Sequence, residues 1–156
     1  LGGILKSVAV FLLTGGVAYL LYGFSVFSLG WILVIFIIEL LIFSWSSGIF
    51  ILALIMRFGT TIQSLAWGLI FLVQPLSAVF FPVEVLPVSI RWISYALPVT
   101  YVFEAARDKL AYNFINWPYI LISTILNIIF LLISILFIQK MHGRGKKTGS
   151  FARMEN

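Results

Sequence analysis

SVAVFLLTGGVAYLLYGFSVFSLGWILVIFIIELLIFSWSSGIFILALIM, residues Ser7 to Met56, contains a single charge, Glu39. The helices of a water-soluble domain need a polar face, and this stretch offers none. A bilayer core of ~30 Å is crossed by ~20 apolar residues in a helix. The stretch is therefore long enough for two spans and too long for one. The break between them falls at Gly23–Trp31, which holds two glycines, two serines and a tryptophan suited to a membrane interface. Span one is read as about 7–22, and span two as about 31–55, closed by Arg57.

Beyond Arg57, a short polar break at Phe58–Thr61 leads into a third apolar segment, about 62–81, interrupted mainly by Gln63, Gln74 and Pro75. A fourth, about 119–138, carries no charge and is relieved only by Ser123, Thr124, Asn127 and Ser134. Between them, Pro82–Pro118 differs in kind: it holds Glu84, Arg91, Glu104, Arg107, Asp108 and Lys109 and is punctuated by Pro87 and Pro98. Leu86, Ile90, Ile93 and Leu97 recur at helical spacing, with Arg91 and Ser94 on another face. A second short helix is predicted after Pro98, capped by Thr100, with Phe103, Ala106 and Leu110 on one side. Neither piece, about 86–97 or 100–112, is long enough to span, so both are read as amphipathic helices in or dipping into the interface. Tyr95, Tyr101, Tyr112, Trp117 and Tyr119 form the aromatic belt expected at that depth. The fold class is all-α: a polytopic membrane helix bundle of four transmembrane helices plus two short external re-entrant or interfacial helices. Residues 1–138 make the membrane domain and 139–156 a basic, mobile tail.

Composition agrees. Of 156 residues, 62% are hydrophobic and 10% charged, with a mean hydropathy of +1.15, whereas soluble domains carry about 25% charged residues. There is no cysteine, hence no thiolate metal site or cysteine nucleophile. The net charge of +5 is a topology signal. With four spans, Lys6, Arg57 and five basic residues of the tail share one side, while Arg91, Arg107 and Lys109 share the other and are balanced by Glu84, Glu104 and Asp108. Positive residues favour the cytoplasm, so the tail is cytoplasmic and the proline-rich segment external. The same placement argues against nucleic acid and for contact with lipid headgroups.

Few residues could carry chemistry. Glu39 is costly to bury ionised in lipid; it is either a transport-path or proton-linked residue, or a hydrogen-bonded anchor to Gln63, Gln74 or Asn127. Gln74-Pro75 frees a carbonyl and kinks or weakens its helix. Ser44-x-x-x-Gly48 and Ser64-x-x-x-Gly68 are small-residue pairs that allow close helix approach, within the bundle or between subunits. Gly143–Thr148 fails as a phosphate loop, because the first glycine of that pattern falls at Lys140 and no strand precedes it. No metal site, cofactor or catalytic set is expected.

At Phe71–Asp108 the segments Gln74-Pro-Leu-Ser-Ala-Val-Phe-Phe-Pro-Val-Glu-Val-Leu-Pro87, Ile93-Ser-Tyr-Ala-Leu-Pro-Val-Thr-Tyr101 and Glu104-Ala-Ala-Arg-Asp108 resemble the permease subunit of type-2 ABC exporters, the group that includes antibiotic-resistance, O-antigen and capsule exporters. The match is good over about 62–138, and Ser7–Met56 fits the family's third and fourth spans by position alone. The resemblance implies a proline-flanked turn (here Pro82–Pro87), two external re-entrant helices and a last span. It also implies a pair of permeases with separate ATP-binding subunits in the cytoplasmic membrane. Family permeases have six spans, so the chain is expected to be a C-terminal four-span portion, with Leu1–Lys6 a remnant of the docking region for the ATPase. Lys6 and Arg57 would face that ATPase. Glu39, Gln74, Pro75, Glu84, Pro87, Arg91, Pro98, Glu104 and Arg107 would belong to the transport path or gate. Two other classes compete: an ion- or proton-coupled carrier or channel using Glu39, and a structural membrane-assembly protein working through its basic tail.

Overall fold

Helix α1 runs Gly2–Tyr22 and stops where Gly23 turns to φ 64°, a conformation that glycine adopts without steric cost. A short 3₁₀ turn, Val26–Leu29, follows, and Gly30, also at φ 64°, leads into α2, Ile32–Phe58. The computed structural model describes residues 2–23, 26–58, 62, 68, 71 and 73–148. After the helical turn 73–76 come a 3₁₀ turn at Val83–Val85, α3 at Val88–Tyr95, α4 at Pro98–Tyr112 and α5 at Trp117–Thr148. There is no strand among the described residues. The chain divides into two units, Leu1–Val34 and Ile35–Asn156; the second contains most of α2 and all of α3, α4 and α5.

Among the described residues, two helices, Ile32–Phe58 and Trp117–Met141, are long and apolar enough to cross a membrane. On α2 the buried positions include Phe36, Glu39, Ser46 and Ala53; on α5 they are Ile120, Ser123, Asn127, Ser134 and Met141. The three-, four- and seven-residue steps between them mark one seam along each helix. Contacts across the seam keep chain order on both sides. Glu39 meets Ser123, Thr124 and Asn127; Phe43 packs edge-on to Phe130 at 6.0 Å; Phe50 stacks on Phe137 at 5.1 Å. The two long helices therefore run parallel. Their outward positions are large and apolar, among them Ile37, Ile38, Leu41, Trp45 and Leu52 on α2 and Leu121, Ile125, Ile128, Leu132 and Leu136 on α5. Small and polar side chains (Glu39, Ser46, Ala53, Ser123, Asn127 and Ser134) are buried beside Phe36, Ile120 and Met141, while branched aliphatics face out. That is the pattern of helices solvated by lipid.

Several elements depart from the sequence expectation. Helix α5 continues ten residues past the expected boundary at 138, to Thr148; residues 149–156 lie outside the described set. Of the predicted third segment, most of 59–72 also lies outside it, with Gln63 and Ser64. The described part is helical only to Leu76, because Ser77 closes the turn onto Val73 O with both its amide (2.8 Å) and its hydroxyl (2.7 Å), and Ala78 then takes φ 57°. Thr100 is not a cap: α4 starts at Pro98, which supplies the fixed φ favoured at a first helical position, and the Thr100 hydroxyl donates instead to Ser94 O at 2.6 Å. Phe103, Ala106 and Leu110 do not form its inner face. Val99, Thr100, Val102 and Ala105 do, because smaller side chains let α4 sit close. Ser94 belongs to the inner side of α3, fully buried. Ser44 and Gly48 are exposed, and a side chain added at Gly48 would meet nothing within 4 Å, so this small-residue pair makes no close approach to the described residues; the seam uses Ser46.

Candidate functional site: a clamped cap and a buried carboxylate

The segment from Ser77 to Asn116 builds a cap at the start of α5. Its small core is Ala78, Val83 and Leu86, with Phe81 and Ile90 against them. Such a core is too small to fix the backbone by burial alone, and two arginines supply the rest. The guanidinium of Arg107 donates to Glu104 Oε1 at 2.9 Å and, through its other nitrogen, to Ala78 O. The same Oε1 accepts Val83 N–H at 3.0 Å. One ion pair thus ties down both ends of the turn 78–83, using the two-pronged donor geometry that lysine lacks. Arg91 does the same for the next turn, donating from Nε to Leu86 O at 2.8 Å and from its terminal nitrogen to Glu84 O at 2.6 Å. Pro87, with φ −54°, precedes α3, and buried Pro98 opens α4.

The cap is joined to α5 by its own contacts. Asn116 donates to Asp108 Oδ2 at 2.9 Å, and its Oδ1 accepts Tyr119 N–H at 3.4 Å, the geometry of a helix cap. Asn113 takes φ 52° at the end of α4, where asparagine is tolerated, and receives Lys109 Nζ at 2.6 Å. Tyr101 lies between Tyr95 and Tyr119, at 6.3 and 5.8 Å between ring centres. Its hydroxyl donates to Tyr95 O at 3.0 Å. Burial, then the neighbouring Tyr95 and Tyr119, push the Tyr101 pKa above its ordinary 10.0, so it remains a neutral donor at physiological pH.

Glu39 sits elsewhere, in the α2–α5 seam, 6% exposed. Thr124 Oγ1 donates to its Oε1, while Ser123 Oγ (3.1 Å) and Asn127 Nδ2 (2.6 Å) donate to Oε2. Asn127 Nδ2 also reaches Glu39 O at 3.0 Å. Among the described residues, Asn127 Oδ1 is buried without a partner.

Of the residues singled out from sequence, Glu84, Pro87, Arg91, Pro98, Glu104 and Arg107 are gathered in the cap. Glu84 contributes its carbonyl, its side chain being exposed. Gln74 is exposed and Pro75 half-buried in the turn before the cap. Arg57 ends α2 with its guanidinium 4.8 Å over the Phe58 ring, and Lys6 is exposed on α1. Asn127 is a partner of Glu39 as expected from the alternatives, whereas Gln74 is not. Ser123 and Thr124 were not foreseen as partners. Their spacing with Asn127, together with the one-sided polarity of an otherwise apolar span, is the signal that could have found them.

Residues 1–111 match the family model described as ABC-2 type transporter. No curated protein and no solved structure matches the chain. The family match covers well over half of the sequence, including the N-terminal region whose resemblance rested on position alone. The chain belongs to the ABC-2 type transporter family and is a membrane-spanning permease component of an ABC transporter.

Proposed function

We propose that this chain is the membrane subunit of an ATP-driven exporter that moves a drug, a lipid or a (poly)saccharide outward across the cytoplasmic membrane. The observation that carries the reading is the ABC-2 match over residues 1–111. Two copies, or this chain and a related one, pair with separate ATP-binding subunits. The subunit threads the bilayer four times, at about 7–22, 31–55, 62–81 and 119–138, with the external helices between the last two spans and the basic tail in the cytoplasm.

The parallel course of α2 and α5 supports that path. The end of α2 and the start of α5 must then lie on opposite faces of the membrane, ~40 Å apart for a helix of this length. The cap, bonded to the start of α5, occupies the far side, so the return crossing falls to the segment before residue 78. Closure of the ATPase pair would rock the permease halves and open a route outward, with Glu84, Pro87, Arg91, Pro98, Glu104 and Arg107 in the gate rim and Gln74-Pro75 at its base. Lys6 and Arg57 would face the ATPase. The tyrosines 95, 101 and 119 suit amphiphiles and sugars, which share flat apolar faces edged by hydroxyls.

The test is reconstitution with the cognate ATP-binding subunit in lipid vesicles. ATP-dependent movement of substrate from the ATPase side is expected. Transport by the permease without any ATPase, driven by an ion gradient and abolished by Glu39→Gln, would replace this reading with the carrier.

A further inference from the structure

From the seam between α2 and α5 we infer that Glu39 and Asn127 form a latch, in which Glu39 is a positioning residue that holds α5 and its attached cap in one register. The inference rests on the permease reading, and three features of the seam carry it. Among the described residues, the donors reaching the Glu39 carboxylate all come from one neighbouring helix: Ser123, Thr124 and Asn127 of α5. Asn127 also grips the Glu39 main-chain oxygen, and this second bond fixes its amide so that nitrogen, not oxygen, faces the carboxylate. Finally, the seam is graded along its length. Towards the cap it is held by directional polar bonds; farther along it is held by Phe43–Phe130 and Phe50–Phe137, whose stacking tolerates small rotations.

The grading has a mechanical consequence. Hydrogen bonds are lost over a fraction of an ångström to an ångström of separation, whereas aromatic pairs slide. Movement of α5 against α2 therefore requires the Glu39 bonds to break, while the phenylalanine pairs accommodate the shift. Because Asp108–Asn116 and Tyr101–Tyr119 bind the cap to α5, the cap travels with that helix. Asn127 Oδ1, buried without a donor among the described residues, is an unmet valence in this register that a shifted register can fill. No cation pairs with Glu39 among the described residues, so the latch works through its three neutral donors and not through an ion pair.

The experiment uses the complete transporter in vesicles and reads substrate moved per ATP hydrolysed, with assembled complex quantified for every variant. Glu39→Gln keeps an acceptor and a hydrogen-bonding end, and is expected to hold that ratio within about twofold of wild type. Glu39→Leu and Asn127→Leu each leave buried polar groups facing nothing and are expected to lower it about tenfold, with ATP hydrolysis continuing. The double variant Glu39→Leu/Asn127→Leu is expected to be no worse than either single, because neither partner is then stranded. Where a leucine variant fails to assemble, Ser123→Ala, which removes one donor, gives the same readout with a drop of about threefold. Equal loss in Glu39→Gln and Glu39→Leu would overturn the latch, since the charge itself would then be needed; so would additive losses in the double variant. Transport by wild type without ATP would instead overturn the exporter reading, and the contrast between Gln and Leu, read then as transport rate against wild type, would still judge the latch.

Discussion

Glu39 and Glu104 are both withdrawn from water, yet the two regions that hold them solve the problem differently. In the cap, Glu104 meets a full positive charge, Arg107 at 2.9 Å, and a backbone amide. In the seam, Glu39 meets two hydroxyls and a carboxamide and no cation among the described residues. The cap lies at the edge of the apolar zone, where an arginine keeps part of its guanidinium wet; its side chain is 28% exposed. Deep between two apolar helices a cation would bring its own desolvation cost, whereas hydroxyls and amides are cheap to bring in and donate directly to the carboxyl oxygens. Charge in this molecule thus fixes loops, and neutral polarity fixes helices.

The largest effect expected from upsetting this contrast lies in the seam. Asn127→Ala should destabilise the folded permease by about 2–3 kcal/mol, because it strips one donor from a buried carboxylate and one from a main-chain oxygen; thermal inactivation in detergent micelles measures it. Arg107→Lys should cost about 1–2 kcal/mol in the same assay, since an ammonium group cannot serve Glu104 and Ala78 O together, and partial exposure screens the loss. A matched pair isolates the difference between the two carboxylates. Glu104→Gln removes half of an ion pair and should cost about 1 kcal/mol, while Glu39→Gln should cost about half as much, because the Ser123 and Thr124 hydroxyls can turn to accept. A similarly small effect, about 0.5 kcal/mol near neutral pH, is expected at Tyr101→Phe, which loses an exposed bond to Tyr95 O. With the Tyr101 pKa raised above 10.0, its neutral form contributes fully below that value and is lost as pH rises through the folded-state pKa. Wild type and Tyr101→Phe should therefore converge in stability under strongly alkaline conditions.

Legibility in the sequence depended on the kind of signal each feature leaves. Apolar length and the glycines at 23 and 30 speak through composition and backbone freedom, so α1, the turn and α2 were legible. Pro87 and Pro98 likewise announce the starts of α3 and α4. The clamp left no such trace. Arg91 and Arg107 bond mainly to carbonyls of residues 78, 84 and 86, and any residue type supplies a carbonyl, so no pattern marks the partner. The inner face of α4, Val99, Thr100, Val102 and Ala105, leaves no mark either, because its residues are smaller than Phe103 and Leu110. In water such residues go inside; beside lipid, small side chains pack and large ones face out. The continuation of α5 through Lys140 to Thr148 was hidden by Gly143 and Gly145, which disfavour a helix by about 1 kcal/mol each without forbidding it.

The parallel course of α2 and α5 is the claim on which both the chain path and the latch depend. Single cysteines placed at Arg57, Glu84 and Lys140, all exposed, and labelled with a membrane-impermeant maleimide in intact cells would decide it. Arg57→Cys and Lys140→Cys should both be protected until the membrane is opened, while Glu84→Cys should label from outside. Finding positions 57 and 140 on opposite faces would contradict the parallel arrangement.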